Sequence, residues 1–149
     1  SKREFFNELE FFIAGDGELF DELTNDIKHF KNITLYKGFL RQSEISALHK
    51  LYGIFLNPTR MDAQGVSRDE AMSSGLVPIT NDIAAIPEFV DKNCGILVDP
   101  ENFKAMADAI ECLYKNPELF LKLSENAASR IRQQSSKELI IDKELEIIL

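Results

Sequence analysis

Asp62 and Glu70, separated by seven residues, flank a glycine turn that leads directly into a helix. The stretch is Asn57-Pro-Thr-Arg-Met-Asp-Ala-Gln-Gly-Val-Ser-Arg-Asp-Glu-Ala-Met-Ser-Ser-Gly75. The first turn of a helix presents unpaired N–H groups and a partial positive charge, which together seat a phosphate, while nearby carboxylates accept hydrogen bonds from sugar hydroxyls. A ligand that is anion and polyol at once is a nucleotide sugar. In that reading the helix start after the glycine turn meets the anion, and Asp62 and Glu70 meet the hydroxyls.

Each residue also has a plainer reading. Ser67-x-x-Glu70 fits a capping box, in which Ser67 caps the helix and Glu70 reaches back to the cap N–H. The competing role for Glu70 is to accept from a ribose, as the acidic residue of dinucleotide-binding folds does. Asp62 alone fits a chain reversal. Gly15-x-Gly17 falls short of a dinucleotide fingerprint because Phe20 stands where the third glycine belongs; the segment reads first as a plain turn, with close ligand approach to the backbone at Gly15 as the alternative. His29 and His49 fall in helical segments away from any ligand cluster and read as solvated or capping side chains. The sequence holds no Gly-x-Ser-x-Gly elbow, no Gly-Lys-Ser/Thr phosphate loop and no Asp-x-Asp pair, so hydrolase, P-loop and metal-clamp chemistry find no support. No metal site and no cofactor are expected.

The elements that must position these residues alternate. Leu9 to Ala14 reads as a buried strand, and Leu19, Leu23, Ile27 and Phe30 as one face of a helix. Ile33 to Tyr36 is a second strand, Ser43 caps a helix carrying Ile45, Leu48, Leu51 and Tyr52, and Gly53 precedes the strand Ile54-Phe55-Leu56. Beyond the central motif come Val77 to Thr80 as a strand, a helical turn at Pro87 to Val90, and the strand Gly95 to Val98. From Glu101 onward only helices are expected: one with Met106, Ile110 and Leu113, one opening at Asn116-Pro117, and one over Lys137 to Leu149 with an Ile141, Leu145, Ile148 stripe. The fold class is α/β: a Rossmann-like parallel sheet with helices on both faces and extra C-terminal helices. In such sheets ligands bind at the carboxyl ends of strands.

Bulk composition sets outer bounds. The 149 residues suit a single domain, and a formal charge of -8 with a pI near 4.8 opposes attraction to nucleic acid or anionic lipid. Cys94 and Cys112 lack Cys-x-x-Cys spacing and read as reduced, partly buried thiols. The apolar runs are far short of the roughly 20 residues that cross a bilayer, so the reading is cytoplasmic with no transmembrane segment.

Read in order, several pieces together resemble the C-terminal, donor-binding half of family 4 glycosyltransferases, retaining enzymes of the GT-B architecture. They are Phe12-Ile-Ala-Gly-Asp-Gly-Glu18, Leu35-Tyr-Lys-Gly-Phe39, Asn57-Pro-Thr-Arg60, Asp62 to Gly75, Pro78-Ile-Thr80, Ile86-Pro-Glu88, Gly95-Ile-Leu-Val98 and Asn116-Pro-Glu-Leu119. The resemblance implies that Asp62 holds the transferred sugar, that Glu70 holds the ribose, that backbone N–H groups of Gly65, Val66 and Ser67 face the donor's sugar and diphosphate, and that Phe39 and Leu40 border the base. It departs at Asp62, one methylene shorter than the family's glutamate, at Ala63-Gln64 in place of Gly-Phe, and at Ala84-Ala85 where paired glycines are frequent.

The resemblance further implies one donor-binding domain over 1–149, truncated at its N-terminal edge and lacking the acceptor domain and the basic pair that neutralises a diphosphate. Its expected activity is transfer of a hexose from a UDP- or GDP-sugar to an acceptor sugar or lipid-linked glycan, in cell-surface polysaccharide or glycolipid synthesis. The fragment alone is expected to be inactive. In the intact protein it would lie in the cytoplasm, peripheral to the inner face of the membrane. Two alternatives stand beside this: a nucleotide-sugar epimerase or phosphorylase of the same architecture, and a catalytically silent interaction module docking through its last helix.

Overall fold

The computed structural model describes residues 3–148. The chain divides into two compact units, Ser1–Ile45 and Ser46–Leu149. All strand pairing is parallel, in a two-stranded sheet and a three-stranded sheet.

In the first unit a 3-10 turn, Glu4–Glu8, precedes β1 (Phe11–Gly15), α1 (Phe20–Thr24) and β2 (Ile33–Lys37). β1 and β2 pair in register from Phe11 with Ile33 to Gly15 with Lys37. The Phe6 ring packs against Phe11 and Phe30 at 5.6 and 5.1 Å between centroids, and Asn32 Nδ2 donates to the carbonyls of Phe6 and Leu9. The helix expected across Leu19 to Phe30 is regular only over α1. Its Thr24 hydroxyl donates back to the Phe20 carbonyl, and Asn25 and Asp26 follow, all residues that favour local side-chain bonds over helix propagation. Leu19 and Leu23 are left 59% and 71% exposed, and His29 lies in the turn beyond, its ring 4.2 Å from that of Phe30. α2 (Gln42–His49) starts one residue before Ser43, because the Glu44 carboxylate accepts the Arg41 N–H at 2.7 Å and holds the start without a serine cap.

The second unit carries β3 (Ile54–Asn57), α3 (Val66–Ser73), β4 (Val77–Asn81), α4 (Ile86–Phe89), β5 (Ile96–Val98), α5 (Phe103–Lys115), α6 (Pro117–Ser135) and α7 (Lys137–Ile148). The sheet order is β3-β4-β5. Every residue of β4 is buried, as a central parallel strand covered on both faces requires. Pro78 is tolerated there because β5 begins pairing only at Ile79, so its missing N–H falls before the second ladder starts.

One face packs Val77, Ile79 and Val98 against Met106, Ala109 and Leu113 of α5 and Leu123 of α6. The other gathers Met72, Ile86, Val90 and Cys94 with Ala127 and Ile131 of α6. Helix α6 therefore joins both layers. Cys94 is buried in the second cluster, whereas Cys112 is exposed.

Helix ends follow their sequence signals. Asn102 caps α5 by accepting the Ala105 N–H, and Asn116 donates to the Cys112 carbonyl at its far end before Pro117 opens α6. At the end of α3, Gly75 takes φ 86 while its N–H reaches Met72 O and that of Leu76 reaches Ala71 O. These paired bonds form a Schellman motif, which ends the helix and turns the chain into β4. The Ile141, Leu145, Ile148 stripe of α7 is exposed.

Two tests probe this core. A Cβ on Gly95 would lie 2.7 Å from Pro78 Cγ and Val90 Cγ1 and 2.8 Å from the Pro78 carbonyl. Gly95→Ala should therefore destabilise by about 1–3 kcal/mol in urea unfolding through overpacking. Asp91 is held below the usual carboxylate range, first by the Asn93 N–H it accepts at 2.8 Å and then by its bond to Arg130. The folded state thus binds this proton less tightly than the unfolded chain, so the stability it contributes is present above the ordinary carboxylate pKa and disappears as pH falls through the lower folded value. Asp91→Asn should flatten the loss of urea-midpoint stability below about pH 4.

Candidate functional site

The segment between β3 and α3 leaves the sheet at a carboxyl edge and is anchored there by β4. Thr80 Oγ1 donates to the Asn57 carbonyl at 3.0 Å, and Asn81 Nδ2 to the Thr59 carbonyl at 2.6 Å. Thr59 Oγ1 in turn donates to Met61 O at 2.8 Å. The strand that forms the centre of the core therefore also fixes where the loop begins.

Its far end is a glycine. Gly65 adopts φ 72 and ψ 51 and is itself the N-cap of α3, with no side-chain cap. The capping box read from Ser67 and Glu70 does not form: the left-handed glycine starts the helix earlier, placing Ser67 inside the first turn and Glu70 past the reach of a box. The first helical bond runs from Asp69 N–H to Gly65 O at 3.0 Å. Among the described residues, no acceptor within the chain takes the N–H groups of Val66, Ser67 or Arg68. Val66 and Ser67 are exposed residues at this helix start.

Beneath the turn lies a residue that the sequence reading missed. Arg68 is 0% exposed. Its Nε and Nη2 donate to Asp69 Oδ1 at 3.0 and 2.8 Å, Nη2 also donates to the Gln64 carbonyl, and the guanidinium sits 4.6 Å from the Phe89 ring centroid. Burial pushes the Asp69 carboxyl above the usual range, Arg68 opposes that shift, and the nearby negative charge of Asp62 adds to it. The signal was present in the helical period, because position 68 shares a face with the buried Ala71 and Met72.

The structure thus brings Asp62, Gly65, Arg68 and Asp69 together, with Asp62 half-buried. Glu70, also half-buried, lies toward another neighbour, His49. Burial lowers the His49 pKa while the Glu70 charge raises it, and Ser74 Oγ, which donates to the Glu70 carbonyl, lies 3.4 Å from His49 Nδ1. Asp62 precedes the helix start, whereas Glu70 lies on the second turn of α3 beside His49. Gly15, Phe39 and Leu40 belong to the first unit. Gly15 ends β1 and its carbonyl accepts the Gly38 N–H at 2.8 Å, while Phe39, 83% exposed, and half-buried Leu40 follow β2. They too stand at carboxyl ends of parallel strands.

A parallel α/β scaffold with unpaired helix-start amides and flanking carboxylates at a strand's carboxyl end has the features of a nucleotide-binding fold. Residues 1–130 match the family Glycosyl transferases group 1, and the chain belongs to that family. It is 29% identical over 124 residues to an alpha-D-kanosaminyltransferase of Streptomyces kanamyceticus, a match covering 81% of this chain and 32% of that protein. It is 28% identical over 145 residues to a poly(ribitol-phosphate) alpha-N-acetylglucosaminyltransferase of Staphylococcus aureus (strain COL), covering 95% of this chain and 29% of the relative. Among solved structures, a variant of TarM from S. aureus, crystallised with fondaparinux, alpha-GlcNAc-glycerol and UDP, superposes with a TM-score of 0.80 at 25% identity, covering 95% of this chain and 29% of that one. The chain therefore spans about a third of the length of these two relatives. The expected α/β class with parallel sheets and extra C-terminal helices, and the family resemblance, are borne out.

Gly65→Ala tests the turn. An alanine there would be strained at φ 72, and its Cβ would lie 2.7 Å from Arg68 Nη1 and 2.8 Å from Asp62 Oδ2. Destabilisation of about 1–3 kcal/mol in chemical unfolding is expected.

Proposed function

We propose that this chain is the donor-binding part of a retaining glycosyltransferase that moves a hexose from a UDP- or GDP-sugar to an acceptor hydroxyl. The observation that carries this reading is the start of α3, where Asp62 Oδ2 borders the Gly65 turn and the N–H groups of the exposed residues Val66 and Ser67, without an acceptor among the described residues, follow it one turn before Glu70. The nature of the relatives supports transfer over epimerisation, and UDP in the TarM crystal supports a uridine nucleotide as the first ligand to test. An acceptor in cell-surface polysaccharide or glycolipid synthesis follows from the same likeness. Such an acceptor is a sugar or a lipid-linked glycan, engaged by parts of the protein outside these residues.

The roles follow from charge. As the sugar–oxygen bond lengthens, negative charge collects on the departing diphosphate, and preoriented N–H dipoles aimed at it stabilise that charge by about 3–4 kcal/mol per donor. The amides at 65–67 do this work, Asp62 holds sugar hydroxyls and Glu70 the ribose. By the family likeness alone, Gly15, Phe39 and Leu40 of the Ser1–Ile45 unit are further proposed nucleotide contacts. For retention, the acceptor enters on the face that the leaving group vacates, and the diphosphate oxygen takes its proton. The helix start supplies the positive potential, so no metal is assigned. Among the described residues no group of three or more His, Cys, Asp or Glu side chains is placed to hold one. No helix among them is long and apolar enough to cross a membrane, which fits a cytoplasmic protein that meets lipid-linked acceptors peripherally.

Calorimetric titration with UDP, GDP and ADP tests the reading. One of the diphosphates should bind, and Glu70→Gln, checked to remain folded by its unfolding transition, should weaken it by about 1–3 kcal/mol through the lost charge-assisted bonds. Folded protein that binds none of the three would refute it.

A further inference from the structure

Arg68 is buried inside the segment that the donor reading depends on, yet it cannot touch a ligand directly. Its guanidinium is spent on the interior: the Asp69 carboxylate, the Gln64 carbonyl and the Phe89 ring. A buried arginine carries a large desolvation cost that a surface residue at the same place would avoid, so its contacts define a rigid local arrangement. Two of those contacts fall on the turn itself. The Gln64 carbonyl is the last peptide oxygen before Gly65, and fixing it fixes the plane from which the left-handed step departs. Arg68 Nη1 and Asp62 Oδ2 converge on the same point above Gly65, 2.7 and 2.8 Å from where a Cβ would sit.

We propose that Arg68 is a positioning residue for the donor sugar: it locks the Asp62–Gly65 turn from beneath and sets the direction in which the Asp62 carboxylate faces the bound hexose. This rests on the donor-site reading above. β4 holds only the near end of the loop, through Asn57 and Thr59. At the far end, the Arg68 bond to Gln64 is the side-chain tie recorded among the described residues between the turn and the helix it opens. Arg68 acts on the sugar through Asp62, whereas Glu70, on the His49 side, is outside this cluster.

The test combines two readouts on the folded chain. In Arg68→Met, hydrogen exchange at the amides of Asp69, bonded to the Gly65 carbonyl at 3.0 Å, and Glu70, in the next turn of α3, should accelerate about tenfold or more while the β4 amides stay protected. In titrations with UDP, UDP-glucose and UDP-N-acetylglucosamine, the affinity of UDP should be retained, and the increment that the hexose adds should fall about tenfold, as in Asp62→Asn. The double variant should lose no more than either single one, the coupling expected of neighbours acting as a unit. Arg68→Lys, which keeps the charge and loses the planar fork, should show the same pattern in weaker form and serves where Arg68→Met does not fold. Unchanged exchange at these amides overturns the proposal, as does equal weakening of UDP and UDP-hexoses. Wild-type protein that binds no nucleotide would overturn the donor-site reading instead, and exchange alone would then judge the brace.

Discussion

Whatever the Ser46–Leu149 unit offers to a ligand hangs from the carboxyl end of β4. This strand is buried along its whole length, and its apolar residues Val77 and Ile79 organise the layer beneath α5 and α6. Its last residues are polar and equally buried: Thr80 and Asn81 spend their side chains on the backbone of the preceding loop. Hydrophobic burial and loop geometry are therefore one constraint. A shift of β4 large enough to lose packing would also move the carbonyls of Asn57 and Thr59 and with them the start of the segment that reaches α3.

The loop's other end is held by charge. Placing a guanidinium in the interior costs several kcal/mol in desolvation, offset only where each donor finds a partner. Arg68 meets that demand with a carboxylate, a carbonyl and an aromatic face. The arrangement is sensitive to loss of any one partner, because an uncompensated buried charge is far less favourable than a hydrophobic residue of the same size. A loop fixed by backbone-directed bonds at one end and by a buried cation at the other has little freedom to reorient, which is what an anion site made of peptide dipoles needs.

Much of this was legible in the sequence, for identifiable reasons. Short apolar runs separated by glycine and by amphipathic segments specify parallel α/β layering, and Asn116-Pro117, Gly75 and Gly53 punctuate it where the structure does. The Asp62 to Gly75 segment was likewise readable, since helix starts have a recognisable grammar. Its detail was not. Ser67-x-x-Glu70 satisfies the capping pattern, yet a left-handed glycine outcompetes it by beginning the helix sooner. Arg68 was passed over because arginine is read as a surface residue unless its helical period is checked against its neighbours. Ala84, standing where the family often has glycine, holds φ 52, a strained position that no local pattern announces. The Leu19 to Phe30 face failed because apolar period alone outweighed the Thr24-Asn25-Asp26 interruption.

The cluster also answers an electrostatic difficulty. The chain carries a formal charge of -8, and its proposed diphosphate seat lies between two acids with a third, Asp69, just beneath. Left alone, Asp62 and Asp69 would repel an anionic ligand and each other. Arg68 pairs with Asp69 and, like Asp62, borders Gly65; out of solvent where screening is weak, its charge cancels part of the acids' field at the point where the helix dipole is positive. The acids can then serve as hydrogen-bond acceptors for hydroxyls without closing the site to phosphate. A surface lysine could not do this as well, because solvent would screen it and its ammonium could not hold two acceptors in one plane. The same side chain therefore shapes the turn and balances its charge, so geometry and potential at the helix start are set together.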